Sequence, residues 1–197
     1  RDNLKDKKTI WTQNANSIYW KKNSKFQGDV GKIYGVQWRD FNGVDQIKNL
    51  IEGIKHDPNG RRHILSAWNP SELHLMSLPP CHVFSQFFVA NNKLSCQLFQ
   101  RSCDMFLGIP FNIASYSLFT HMIAAECSLD LGEFVHTLGD YHIYHEHFNA
   151  INIQMERTPI ELPNLTFEKK GIFDYSLNDF ILNNYNPKPG IKASMNV

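Results

Sequence analysis

Cys81 stands in Leu78-Pro79-Pro80-Cys81-His82, where two prolines lead into a strand-like run. A thiol becomes a useful nucleophile when nearby cations lower its pKa. A small buried hydrophobe has the same signature, and the tetrapeptide alone does not decide between them. His82 is excluded as the base for Cys81, because neighbours on a strand point to opposite faces. Two arginine sites offer positive charge. Arg61-Arg62 follow Gly60 at an element boundary, and Arg101 ends a strand-like run beside the hydroxyl of Ser102. Forked guanidinium groups match phosphate oxygens, although either arginine site alone also fits a solvated ion pair. Histidines collect late, at His136, His142, His145 and His147. The His145-x-His147 spacing fails the helical i, i+4 rule and no carboxylate completes a ligand set, so no metal is expected. The glycine fingerprints of dinucleotide and P-loop sites are missing from the sequence.

Those residues need elements to hold them. Val44, Ile47, Leu50, Ile51 and Ile54 recur at helical spacing from Val44 to Lys55, and Asp57-Pro58-Asn59-Gly60 stops the helix. His63 to Trp68 reads as a short strand. Cys81 to Ala90 and Leu94 to Ser102 read as a hairpin joined at Asn91-Asn92-Lys93, since Asn tolerates positive φ. In the second run Leu94, Cys96, Leu98 and Gln100 share one face, and Ser95, Gln97, Phe99 and Arg101 share the other. Polar residues on both faces suggest that one face lines a polar cavity or a subunit contact. Pro110 to Cys127 is apolar nearly all round, the pattern of a buried helix. Phe134 to Leu138 reads as a strand, and His142 to Met155 as a helix after the Gly139-Asp140 break. The result is one α+β domain spanning residues 1–197.

Composition narrows the function classes. The chain has 197 residues, 42% hydrophobic and 20% charged, with a formal net charge of +1. That charge argues against a dedicated nucleic-acid coat or a membrane-surface binder, so any anion site must be local. No apolar run approaches the roughly 20 residues that cross a bilayer, and no membrane association is expected. Cys81, Cys96, Cys103 and Cys127 form no C-x-x-C pair; reduced thiols, and with them a cytoplasmic setting, are expected.

Read together, five motifs resemble the thymidylate synthase family, in order along nearly the whole chain. They are Leu78–His82, Gln97-Leu98-Phe99-Gln100-Arg101-Ser102-Cys103-Asp104, Gly108-Ile109-Pro110-Phe111-Asn112-Ile113-Ala114-Ser115-Tyr116, Gly139-Asp140-Tyr141-His142-Ile143-Tyr144 and Asn186-Pro187-Lys188-Pro189-Gly190-Ile191-Lys192. The resemblance implies methylation of dUMP to dTMP by 5,10-methylenetetrahydrofolate, with Cys81 adding to carbon 6 of the pyrimidine. It implies that Arg101 and Ser102 hold the dUMP phosphate, joined by Arg61 and Arg62 from the other subunit of a homodimer. Arg101 would also stabilise the Cys81 thiolate. The resemblance also implies that Gln100 falls among the substrate-binding residues, that Asn112 pairs with the uracil edge, and that His142 and Tyr144 bind the 3′-hydroxyl. Tyr34, in Tyr34-Gly35-Val36-Gln37-Trp38-Arg39, is similar to the tyrosine near the carbon 5 proton. By the same resemblance Asp104 would bind the pterin, with Trp11, Leu107, Gly108 and Phe111 lining the folate pocket and the Val197 carboxylate closing over it. The implied fold is a large mixed sheet packed with helices, whose back meets its twin.

The resemblance further implies an N-terminal stretch before Thr9-Ile10-Trp11 that carries an arginine loop, the first core strand and helix, and a catalytic glutamate. A sister activity is a pyrimidine-nucleotide hydroxymethylase. Asn112 argues against its dCMP form, and Trp11 favours hydride transfer over capture of water. Some members of the family bind RNA, so a weak RNA-binding or regulatory role is a further expectation, with the near-neutral charge against it.

Overall fold

The computed structural model describes Thr12, residues 25–26 and residues 28–195. The expectations for Trp11 and Val197 lie outside the described residues.

Among the described residues two helices lie side by side, α1 (Tyr34–Arg39) and α2 (Gln46–His56). Asp45 caps α2, its carboxylate accepting from the Lys48 N–H at 3.1 Å. Helix α2 therefore begins at Gln46, and Val44 is left exposed in the preceding turn. The rest of the expected stripe, Ile47, Leu50, Ile51 and Ile54, is buried.

The main sheet contains β1 (Ile64–Ser66), β2 (His82–Ala90), β3 (Lys93–Asp104) and β4 (Asp130–His142) in the order β1-β2-β3-β4. Strands β1 to β3 are antiparallel, and β3 and β4 run parallel. Asn91 and Asn92 make the β2–β3 turn at φ 50° and 61°, the left-handed pair that a two-residue hairpin needs. Parallel neighbours require a long crossover, supplied by α3 (Gly108–Cys127). Helix α3 opens two residues before Pro110, whose missing N–H costs nothing in a first turn. It buries one face, through Tyr116, Thr120, Ile123 and Ala124, while Phe111 and Ile113 stay exposed. The apolar pattern all round this helix thus does not mean burial all round within this chain.

Two boundaries differ more from the sequence reading. Strand β4 runs from Asp130 to His142, because β3 pairs with it from Lys93↔Asp130 to Asp104↔His142. The ladder carries the strand through Gly139-Asp140, which locally reads as a break. The following helix, α4 (Phe148–Met155), starts six residues later than expected, after a 3-10 turn at His145–His147. A small second sheet pairs β5 (Asn164–Thr166) with β6 (Ile181–Asn183).

The two faces of the main sheet differ. Phe87, Val89, Leu94, Cys96 and Leu98 point inward against α2 and α3 and are buried. The outer face carries Phe84, Phe88 and Val135, all exposed, beside Gln97, which bonds to Thr137 at 3.0 Å. Phe84 and Phe99 stack across the strands with ring centroids 5.9 Å apart. This is the mixed α+β sheet architecture that the resemblance implies.

Candidate active site

Strand β2 starts one residue after Cys81, so the thiol sits at the mouth of the sheet rather than in its ladder. The Cys81 N–H donates to the Tyr34 hydroxyl at 2.8 Å, and its carbonyl accepts from the Arg101 N–H at 2.9 Å. The Arg101 guanidinium donates through Nε to the Pro80 carbonyl at 2.9 Å and through Nη2 to the Pro79 carbonyl at 2.8 Å. The guanidinium thus clamps two successive carbonyls of the segment that leads into Cys81. Arg101 also lies 5.8 Å from the centroid of the Trp68 ring.

Burial dominates the ionisation of these groups. It pushes the Cys81 thiol above the ordinary thiol value, while Arg101 and the Tyr34 hydroxyl pull it back only in part. Arg101 does favour the thiolate, but desolvation outweighs it. Burial likewise raises Tyr34, helped by the neighbouring Cys81, so its phenol stays protonated.

A second cluster lies beside the thiol on the inner face. Gln100 Nε2 donates to Asn112 Oδ1 at 3.0 Å and to the Ser102 carbonyl at 2.9 Å, and Gln100 Oε1 meets His136 Nε2 at 2.9 Å. Gln100 thereby fixes the orientation of the Asn112 amide, leaving Nδ2 to face away from it. His82 lies against the rings of Tyr34 and Tyr116, at 4.9 and 5.3 Å. Desolvation there lowers its pKa to about 4, against an opposing hydrogen bond with Asn112. His82 is therefore a neutral part of the wall. Sequence reasoning dismissed His82 as a base and His136 as a metal ligand; strand alternation puts His136 near Gln100 only once the β3–β4 register is known.

Asp104, at the end of β3, accepts from the Phe106 and Leu107 N–H groups at 3.1 and 3.3 Å and so shapes the turn into α3. Gly108 follows, and a Cβ there would lie 3.3 Å from Asp104 Cβ and 3.7 Å from Asn112 Oδ1. Asp104, Leu107, Gly108 and Asn112 thus share one corner, with Phe111 exposed beside it. At the end of β4, His142 bonds to Asp140 at 3.2 Å, and its ring meets Tyr144 edge-on at 5.0 Å.

Arg61 and Arg62 are the exception. Both are exposed, and both line a cleft of about 680 Å³ between α2 and the segment before β1. Ion pairs of known partners do not include either of them among the described residues. The cleft that they line does not include Arg101, and the Arg61 carbonyl accepts from Gln86 Nε2 at 3.4 Å. Among the described residues no three His, Cys, Asp or Glu side chains converge as a metal site, and no helix is long and apolar enough to cross a membrane.

Sequence reasoning also missed the support beneath Tyr34. Gln37, fully buried on α1, donates to the Lys32 carbonyl at 2.9 Å and to Glu72 at 2.8 Å, and accepts from Asn69 at 3.0 Å. Glu72 is also paired with Lys32. Buried polar networks of this kind hold an element in one position when every member is satisfied.

Comparison with known proteins gives a consistent result. A sequence model described as thymidylate synthase matches residues 2–197. A thymidylate synthase from Staphylococcus haemolyticus is 53% identical over 180 residues, covering 88% of this chain and 57% of the relative. One from Listeria monocytogenes is 53% identical over 177 residues, covering 86% and 56%. A bifunctional dihydrofolate reductase-thymidylate synthase from Paramecium tetraurelia is 54% identical over 183 residues, covering 86% and 40%. The chain spans a little over half the length of the single-function relatives.

Proposed function

The chain belongs to the thymidylate synthase family, and from that footing we propose that it forms the larger, catalytic part of an enzyme converting dUMP to dTMP with 5,10-methylenetetrahydrofolate as cosubstrate. The observation that carries the reading is the Cys81 loop: one thiol gripped through its backbone by Tyr34 and Arg101, next to an amide whose orientation Gln100 fixes.

In this reading Cys81 Sγ adds to carbon 6 of dUMP, which makes carbon 5 nucleophilic. Carbon 5 attacks the one-carbon unit of the folate, and loss of the carbon 5 proton with elimination of tetrahydrofolate leaves an exocyclic methylene. Hydride from that tetrahydrofolate adds to the methylene while Cys81 Sγ departs from carbon 6, giving dTMP and dihydrofolate. A covalent adduct divides one hard step into easier ones. The raised thiol pKa fits a nucleophile held mostly protonated until substrate arrives, when the phosphate draws Arg101 and Ser102 together beside it. Arg61 and Arg62 complete the phosphate site from the partner of a homodimer formed through the exposed outer face of the sheet. Asn112 reads the uracil edge, with Gln100 behind it. His142 and Tyr144 take the 3′-hydroxyl, and Tyr34 stands near the carbon 5 proton. Asp104 holds the pterin, with Leu107, Gly108 and Phe111 beside it. We place the protein in the reducing cytoplasm, where the Cys81 thiol stays free.

The test is Cys81→Ser in the full-length protein. Turnover should fall by at least about 10⁴-fold, as expected when a covalent step is lost, while dUMP binds within about twofold of wild type. Retained turnover would remove Cys81 as nucleophile.

A further inference from the structure

His147 has no part in the chemistry above, yet it is completely buried at a junction of three segments. Its Nε2 lies 2.7 Å from the carbonyl oxygen of Ser194, 47 residues along the chain. A carbonyl only accepts, so Nε2 is the donor in this contact. The other ring nitrogen, Nδ1, lies 3.7 Å from Asp104 Oδ1 and has no hydrogen-bond partner. The ring sits between Phe106 and Tyr144, at 5.5 and 5.6 Å. A 3-10 turn holds it there, closed by the His147 N–H on the Tyr144 carbonyl at 2.9 Å. A second anchor acts on the same segment: Arg157 Nη2 donates to the Pro189 carbonyl at 2.7 Å.

We propose that His147 is a positioning residue for the folate step: its ring pins segment 187–195 through the Ser194 carbonyl and backs the Asp104 carboxylate, so that both are set together. The proposal rests on reading the Asp104 corner as the folate site. The reaction chemistry itself makes no use of the imidazole. Its Nε2 proton ties down the segment, and its buried ring fixes the wall against which Asp104 presents its free oxygen.

The experiment compares His147→Phe, which keeps bulk without a donor, with His147→Gln, whose amide nitrogen reproduces the Nε2 donor. It uses the full-length protein. Three quantities are read: amide hydrogen exchange over residues 190–195, KM for 5,10-methylenetetrahydrofolate, and Kd for dUMP. His147→Phe should speed exchange and raise the folate KM roughly tenfold each, the scale of one hydrogen bond, with dUMP Kd within about twofold. His147→Gln should restore both to near wild type. The proposal is overturned if His147→Phe leaves exchange and folate KM unchanged, if it weakens dUMP binding as much as folate use, or if His147→Gln fails as badly as His147→Phe. Should His147→Phe not fold, His147→Asn replaces it. Its shorter amide cannot reach Ser194, so equal behaviour of Asn and Gln would also overturn the proposal. The exchange arm requires no turnover. A wild-type protein that turned over no dUMP but kept a His147-dependent segment would therefore count against the proposed reaction and not against the pin.

Discussion

Asn112 and His82 are adjacent in the site and make opposite demands on charge. Asn112 has its oxygen committed to Gln100, so Asn112→Asp can keep that bond while changing what the pyrimidine meets. The variant should raise the preference for dCMP over dUMP by at least about tenfold. Competition between the two nucleotides under kcat/KM conditions checks this, and an unchanged ratio would remove Asn112 from base recognition. His82 must be neutral to fit between two tyrosine rings. Its folded pKa of about 4 lies below the ordinary 6.5, so between those values the unfolded chain binds the extra proton. Stability present above pH 6.5 is then lost as pH falls toward 4, by on the order of 3 kcal/mol at most. His82→Gln should flatten most of that slope in urea midpoints measured from pH 7 to 4.5. His121 and His136, both lowered by burial, act in the same direction, as do the lowered carboxylates of Asp45, Glu72 and Asp179 at the acid end. Cys81, Arg101 and Asn112 could be singled out as candidates because each sits in a distinctive local motif. The Gln100–His136 contact could not be, because 36 residues separate its partners and only the strand register joins them.

Among the elements, β4 shows where local reading fails. Gly139 looks like a strand breaker, yet a Cβ there would come 2.9 Å from the Arg101 carbonyl oxygen and 3.2 Å from its Cα. The glycine lets β4 approach β3 at the residue that clamps the Cys81 loop. Gly139→Ala should destabilise the fold by about 1–3 kcal/mol, visible as a lowered Tm. It should also reduce kcat/KM by shifting Arg101; an alanine variant with wild-type activity and Tm would mean that the close approach is inconsequential. Helix α2 and the Asn91-Asn92 turn were legible because the apolar period, the Pro-Gly stop and left-handed residues all act within a few positions. The start of α4 was not, because the ladder claims residues up to His142 before local propensity can act. The support beneath Tyr34 escaped for the same reason: Gln37 meets Asn69 and Glu72 from 32 and 35 residues away.

At the scale of the whole molecule, the outer sheet face exposes Phe84, Phe88 and Val135, and its Gln86 bonds to the carbonyl of Arg61. Pairing through that face would cover Phe84, Phe88 and Val135 and bring Arg61 and Arg62 to the phosphate corner of a second chain. Phe88 is 59% exposed, so Phe88→Glu should leave the protomer fold intact while shifting sedimentation from dimer to monomer. Turnover should fall with it, and a fully active monomer would exclude the shared site. The polar and aromatic residues alternating along β3 hinted at a polar cavity or a subunit contact; α2 and α3 cover the inner face, which leaves the outer face as the one proposed for pairing.

The most direct test of the central claim is the identity of the product. The full-length protein incubated with dUMP and 5,10-methylenetetrahydrofolate should yield thymidylate and dihydrofolate, identified by mass spectrometry. Hydroxymethyl-dUMP, or no nucleotide product at all, would contradict the account.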